Sequence, residues 1–141
     1  MDFADGQFMT ADEKRKVLRQ WKLFVKGGFK KSQFTKNIYE HLHLHCGFIA
    51  HYNIHGFYAT YFEDPEDTIR FLRHFDRDVD GWRYWIAGDY ADINEAMCDV
   101  VDRHKASLYR RLKGLSRDRD LVWAEALLKK HDVDIDVRPN S

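Results

Sequence analysis

Proline, cysteine and glycine are scarce in this chain, with two, two and eight among 141 residues. That scarcity excludes collagen-like and low-complexity chains, and 44% hydrophobic and 15% aromatic residues leave enough apolar surface to build a core without help. Two cysteines make one pair at most, and neither Cys46 nor Cys98 lies in a CxxC arrangement. A disulfide scaffold is therefore excluded, and both thiols are expected to be reduced and buried. The stretch MDFADGQFMTADEKRK has no apolar core and is acidic where a secretory signal is basic, which leads to the expectation of a cytoplasmic protein. Also missing are G-x-S-x-G, HExxH, G-x-G-x-x-G and the P-loop spacing, so no motif names an active site and the enzyme question stays open.

Net charge is zero, yet the charge is unevenly spread. Residues 1–40 carry nine Lys/Arg against five Asp/Glu, residues 41–102 four against twelve, and residues 103–141 ten against six, giving +4, −8 and +4. Such polarity favours a charged protein partner or a homo-oligomer over nucleic acid, which calls for a basic excess over the whole domain.

Helical spacing dominates the pattern. Thr10 to Glu13 form a capping box, followed by Val17, Leu18, Trp21, Phe24 and Val25 on one stripe and a Gly27-Gly28 stop. A second helix is expected from about Ser32, with Phe34, Ile38 and Leu42 on one face, and a third from about Phe48 to Phe62. A fourth starts at Asp64-Pro65, a good cap followed by a good first residue, and runs to Phe75. A fifth carries Ile93, Met97, Val100, Val101, His104, Leu108 and Leu112 and is expected to stop at Gly114, with Ser116 capping a sixth. Residues 76–92 are expected as loop. The alternation of Val133, Ile135 and Val137 with Asp leaves a short edge strand or a solvated end as alternatives. The fold expected is all-α: one helical bundle, or an irregular orthogonal arrangement, of about five to six helices. Its parts would be a flexible lead over 1–9, a helical domain over 10–131 and a tail over 132–141.

One further absence is the most informative. In a chain that is 33% charged, residues 41–62 contain no Asp, Glu, Lys or Arg. The length suits a membrane span, but five histidines, Asn53 and several tyrosines would lack partners in hydrocarbon, so a buried bundle segment is preferred and no membrane contact is expected. His41 and His45 share a helical face, as do His51 and His55; a continuous helix would gather all four within a sector of roughly 120°, a break at Gly47 would let the two pairs face each other across a hairpin, and a strand would put the imidazoles of His41, His43 and His45 on one face. Paired i, i+4 histidines can grip a divalent transition metal such as Zn, Fe or Ni. The sequence reading that follows is a small regulatory or sensor protein using His41, His45, His51 and His55 as metal ligands. The competing reading makes these rings core fillers in a metal-free interaction module with a charge-polarised surface.

Two other motifs carry alternatives. Asp76, Asp78 and Asp80 before Gly81 match the opening of a calcium loop, but Ala87 stands where the bidentate Glu belongs, so calcium is disfavoured against an Asp-rich turn paired with arginines. Lys26, Lys30, Lys31 and Lys36 interleave with aromatic rings and are candidate contacts for an anionic partner. Nucleic acid is the less favoured partner, because Trp21 and Phe24 already belong to the apolar stripe.

Overall fold

The structure is a computed structural model that describes residues 2–75 and 88–130, the side chains of 122, 123 and 127–130 excepted. Among the described residues there are five α-helices and no strand, which establishes the all-α class: α1 (Ala11–Lys26), α2 (Lys36–His45), α3 (Ile54–Tyr61), α4 (Pro65–Arg73) and α5 (Ala91–Lys130). The aspartates of the calcium-loop motif and the alternating Val-Asp tail lie outside the described residues.

Local signals set most boundaries. Thr10 caps α1 through a reciprocal box, its hydroxyl accepting from the Glu13 N–H while the Glu13 carboxylate accepts from the Thr10 N–H. Asp64 caps α4 with Pro65 at its first position. Elsewhere the side-chain caps shorten what periodicity suggests. Thr35 accepts from the Ile38 N–H, so α2 starts at Lys36, after a 3-10 turn over Lys31–Gln33, and not near Ser32. Asn53 accepts from the Gly56 N–H and opens α3 at Ile54, leaving 46–53 irregular, with His51 and Tyr52 in left-handed backbone conformations.

The largest departure concerns Gly114 and Ser116, which neither stop nor start a helix, because α5 runs through both. Glycine ends a helix only where the chain leaves it. Here the Ser116 hydroxyl donates to the Glu66 carboxylate, and Arg119 pairs with Asp64 at the start of α4, so tertiary contacts carry the helix past its weak point.

α5 is the platform on which α1 and α4 pack, while α2 and α3 close over α1 and α4. The core is aromatic: Trp21, Phe24, Phe57, Phe71 and Phe75 are fully buried, in ring contact with Phe34, Phe48 and Phe62. The Trp21 indole N–H donates to the Met97 carbonyl at 3.1 Å, locking α1 to α5.

Residues 2–9, read from the sequence as a flexible lead, make specific contacts. Phe3 and Met9 are buried, the Ala4 and Gln7 N–H groups donate to the Asp92 and Asp89 carboxylates, and the Lys14 ammonium donates to the Ala4 carbonyl.

Two outcomes follow. A Cβ on Gly114 would meet nothing within 4 Å, so Gly114→Ala should stabilise the protein by about 0.5–1 kcal/mol, read as a rise in the denaturant midpoint. Lys14→Met, which removes a buried cation and leaves three part-buried acceptors without it, should destabilise by about 1–3 kcal/mol in the same measurement.

Candidate functional site

The histidines do not converge. His51 precedes α3 in a left-handed conformation, so His51 and His55 are not a helical i, i+4 pair, and His51 reaches the Tyr61 hydroxyl at 3.3 Å while His55 is exposed. His43 donates to the Phe48 carbonyl at 3.1 Å. His41 and His45 do sit together on α2, with ring centroids 5.2 Å apart, but His45 stacks on Tyr90 at 3.8 Å and His41 is committed to Asn94. Among the described residues no group of three or more His, Cys, Asp or Glu side chains could hold a metal ion. The metal-binding reading of His41, His45, His51 and His55 is thereby corrected: the break over 46–53 separates the two pairs, and aromatic and amide partners take up the rings.

What forms in its place is a buried polar junction. His41 Nε2 lies 2.7 Å from Asn94 Oδ1, the Cys46 thiol donates to the same oxygen at 3.4 Å, and the Asn94 amide donates to the His45 carbonyl at 3.1 Å. Because Asn94 Oδ1 is the acceptor, His41 Nε2 carries the proton, and Nδ1, which has no partner, is a bare lone pair. Burial, with the nearby charges of His45 and Lys14, lowers the His41 pKa to about 4 against the opposing Asn94 hydrogen bond. Both cysteines are buried and free, and burial raises the Cys46 thiol well above its usual value, helped by the neighbouring Cys98, so Cys46 is a poor nucleophile at neutral pH. The ring of His41 lines a 260 Å³ cavity walled by Phe8, Met9, Val17 and Leu44, with Glu13, Lys16 and Glu40 among its polar residues.

The candidate cations part company. Lys26 joins Lys22 on α1 and Arg103 and His104 on α5 around a 330 Å³ groove with Val100 and the exposed Leu23. No carboxylate lines this groove, and Lys22, Lys26 and Arg103 make no ion pair among the described residues. Arg111 extends the strip, since a Cβ built on Gly28 would fall 2.7 Å from its Nη1. Residues 103 and 111 on α5 are two helical turns apart, about 12 Å. Lys30 and Lys31 are exposed at the 3-10 turn, and Lys36 pairs with Glu40 at 3.6 Å. A wider cleft of 630 Å³ between α4 and α5 also holds Arg70, Arg73, Lys113 and Arg117, but Glu66 and Asp120 line it and offset their charge.

Sequence reading placed Lys22 in the same run of cations and rings as Lys26 but missed Asn94, Lys14, Arg103 and Arg111. Asn94 and Lys14 were detectable in principle, because each is a polar residue set in an apolar helical stripe, Lys14 with Val17, Leu18 and Trp21, Asn94 with Met97, Val101 and Leu108. The basic groove had no such signal, as only the packing of α1 on α5 assembles it.

Fold and site together define an all-α domain with a cationic groove and a separate histidine-lined cavity, and no helix among the described residues is long and apolar enough to cross a membrane. No family model matches the chain, nor does any curated protein or solved structure.

Acid should weaken the fold. The unfolded His41 takes up a proton near pH 6.5, the folded one only near pH 4, so its contribution to stability falls as pH drops through that window and is constant outside it. Asp92 acts in the same direction at lower pH: burial pushes its carboxyl up, but the Lys14 hydrogen bond and the Ala4 and Ile93 N–H groups hold it below the ordinary value, and that stabilisation is lost as it protonates. The melting temperature should fall from pH 6.5 to 4, with a flatter slope in His41→Gln. An unchanged slope would show that His41 does not titrate in this way.

Proposed function

We propose that this domain is an interaction module that takes an acidic segment of a partner protein into the groove between α1 and α5. The observation that carries this reading is the meeting of Lys22, Lys26, Arg103 and His104 around Val100 and exposed Leu23, with no carboxylate among the lining residues. In water these like charges repel one another mildly. A ligand carboxylate removes that repulsion and gains charge-assisted hydrogen bonds, while Leu23 offers an apolar contact that sets register.

The chemistry favours acidic protein over nucleic acid. Tracking phosphates takes a longer run of cations, and a molecule of zero net charge with an acidic middle of −8 repels a polyanion away from the groove. The basic strip is short, has an apolar residue within it and suits a peptide with alternating acidic and apolar side chains. The acidic middle of a second copy of this chain has the same chemistry and is one source of such a segment.

Fluorescence polarisation with a labelled peptide of alternating glutamate and leucine tests this. The peptide should bind at low ionic strength, weaken steadily as salt is added and lose at least about tenfold in affinity when Lys22→Glu and Arg103→Glu are combined, two exposed positions whose reversal leaves the core intact. Equal binding by the reversed variant, or stronger binding of duplex DNA than of the peptide, would sink the proposal. Sedimentation of the unmodified protein across salt shows whether a second copy supplies the acidic segment.

A further inference from the structure

We propose that the segment seated in the groove between α1 and α5 is residues 132–137 of a second copy of this chain, so that two molecules exchange segments. This rests on the reading of that groove as a seat for an acidic peptide, and it names the occupant. Asp132, Asp134 and Asp136 alternate with Val133, Ile135 and Val137 shortly after Lys130, the last residue of α5. Nowhere else does the chain alternate three acidic with three apolar residues.

Charge and spacing match the groove. In an extended segment alternate residues share a face, so the three carboxylates span four residue steps, about 13 Å. Arg103 and Arg111 stand about 12 Å apart along α5, and Lys22 and Lys26 of α1 line the groove with Arg103. These four cations make no ion pair among the described residues, so each is open to a carboxylate from outside. Laid on edge between two helices, the segment turns its other face, Val133, Ile135 and Val137, to the α1 wall, where Leu23 is 56% exposed. Leu115, 51% exposed one helical turn beyond Arg111, prolongs the strip with an apolar side chain where the α5 of the second copy arrives.

The length of α5 decides which molecule supplies the segment. His104 lies about 39 Å along the helix from Lys130, whereas Asp136 at full stretch reaches only about 22 Å beyond Lys130. Folded back on its own helix, the segment brings Asp136 alone near Arg111, at the outer end of the strip, and leaves Lys22, Lys26 and Arg103 bare. A second copy has no such limit. If its segment enters from the Arg111 end, the two α5 helices run antiparallel with their last turns side by side. The same two-fold rotation then carries the first segment into the second groove, so the exchange closes as a dimer and does not propagate.

Sedimentation equilibrium of the full chain tests the exchange. At low ionic strength the protein should form a dimer that dissociates as salt is added. Asp132→Asn, Asp134→Asn and Asp136→Asn together should weaken the dimer at least about tenfold, as should Lys22→Glu with Arg103→Glu, with melting temperatures close to that of the parent. Mixing the two variants brings an intact groove to an intact segment and should restore a hetero-dimer that neither forms alone. The asparagine variant should also bind the labelled glutamate–leucine peptide several-fold more tightly than the parent, because its groove is vacant, a gain that loss of folding does not imitate. A dimer unchanged in the asparagine variant overturns the exchange. A parent that binds the peptide yet stays monomeric also overturns it, while the groove reading stands. A parent that neither dimerises nor binds the peptide overturns both.

Discussion

The Lys14 ammonium is the point on which this architecture turns. It is 1% exposed and uses its three donors on the Ala4 carbonyl at 2.8 Å, the Asp89 carbonyl at 2.6 Å and the Asp92 carboxylate at 2.9 Å. A charge taken this far out of water is tolerated only when paired and fully hydrogen-bonded. The requirement draws three segments together: the N-terminal stretch, α1 and the start of α5. Once α5 is fixed at that end, Trp21 can reach Met97, the aromatic core can close, and Asn94 comes to lie against His41 and Cys46.

The basic groove and the small cavity beside His41 are by-products of that arrangement at two borders of α1. One border faces α5 farther along, where α1 contributes Lys22 and Lys26 and α5 contributes Arg103 and His104. The other faces α2, where the turn at residues 8–9 and the α2 residues from Asn37 to His45 leave a cavity over His41. The groove is exposed, charged and suited to a partner that salt can displace. The cavity is small and part-apolar. Neither uses Cys46, whose thiol burial holds well above its usual value.

Legibility followed the range of the interaction. The Thr10 box and the Asp64-Pro65 start involve groups a few residues apart, and both read correctly from sequence. Gly114 read as a stop because glycine often ends a helix, but the decision belonged to Ser116, Glu66, Arg119 and Asp64, partners about fifty residues apart. The four-histidine sector assumed one unbroken helix, whereas Asn53 caps a new one and His51 takes a left-handed conformation, so the second pair never forms. Lys26 was named from a local run of cations interleaved with aromatic rings. Its neighbours Arg103 and His104 are far away in sequence and could be found only in space.

The sequence by itself determined the all-α class, the starts of α1 and α4 at Thr10 and Asp64, the amphipathic stripe of α1, the buried reduced cysteines and the concentration of histidine in an uncharged segment. These depend on periodicity, composition and contacts within one helical turn. Tertiary structure alone decided that α5 runs unbroken through Gly114, that His41 serves Asn94 in place of a metal, and that cations from both ends of the chain form one groove. Those outcomes rest on which faces meet, and side chains separated by fifty or more residues compete for them only after the chain has folded.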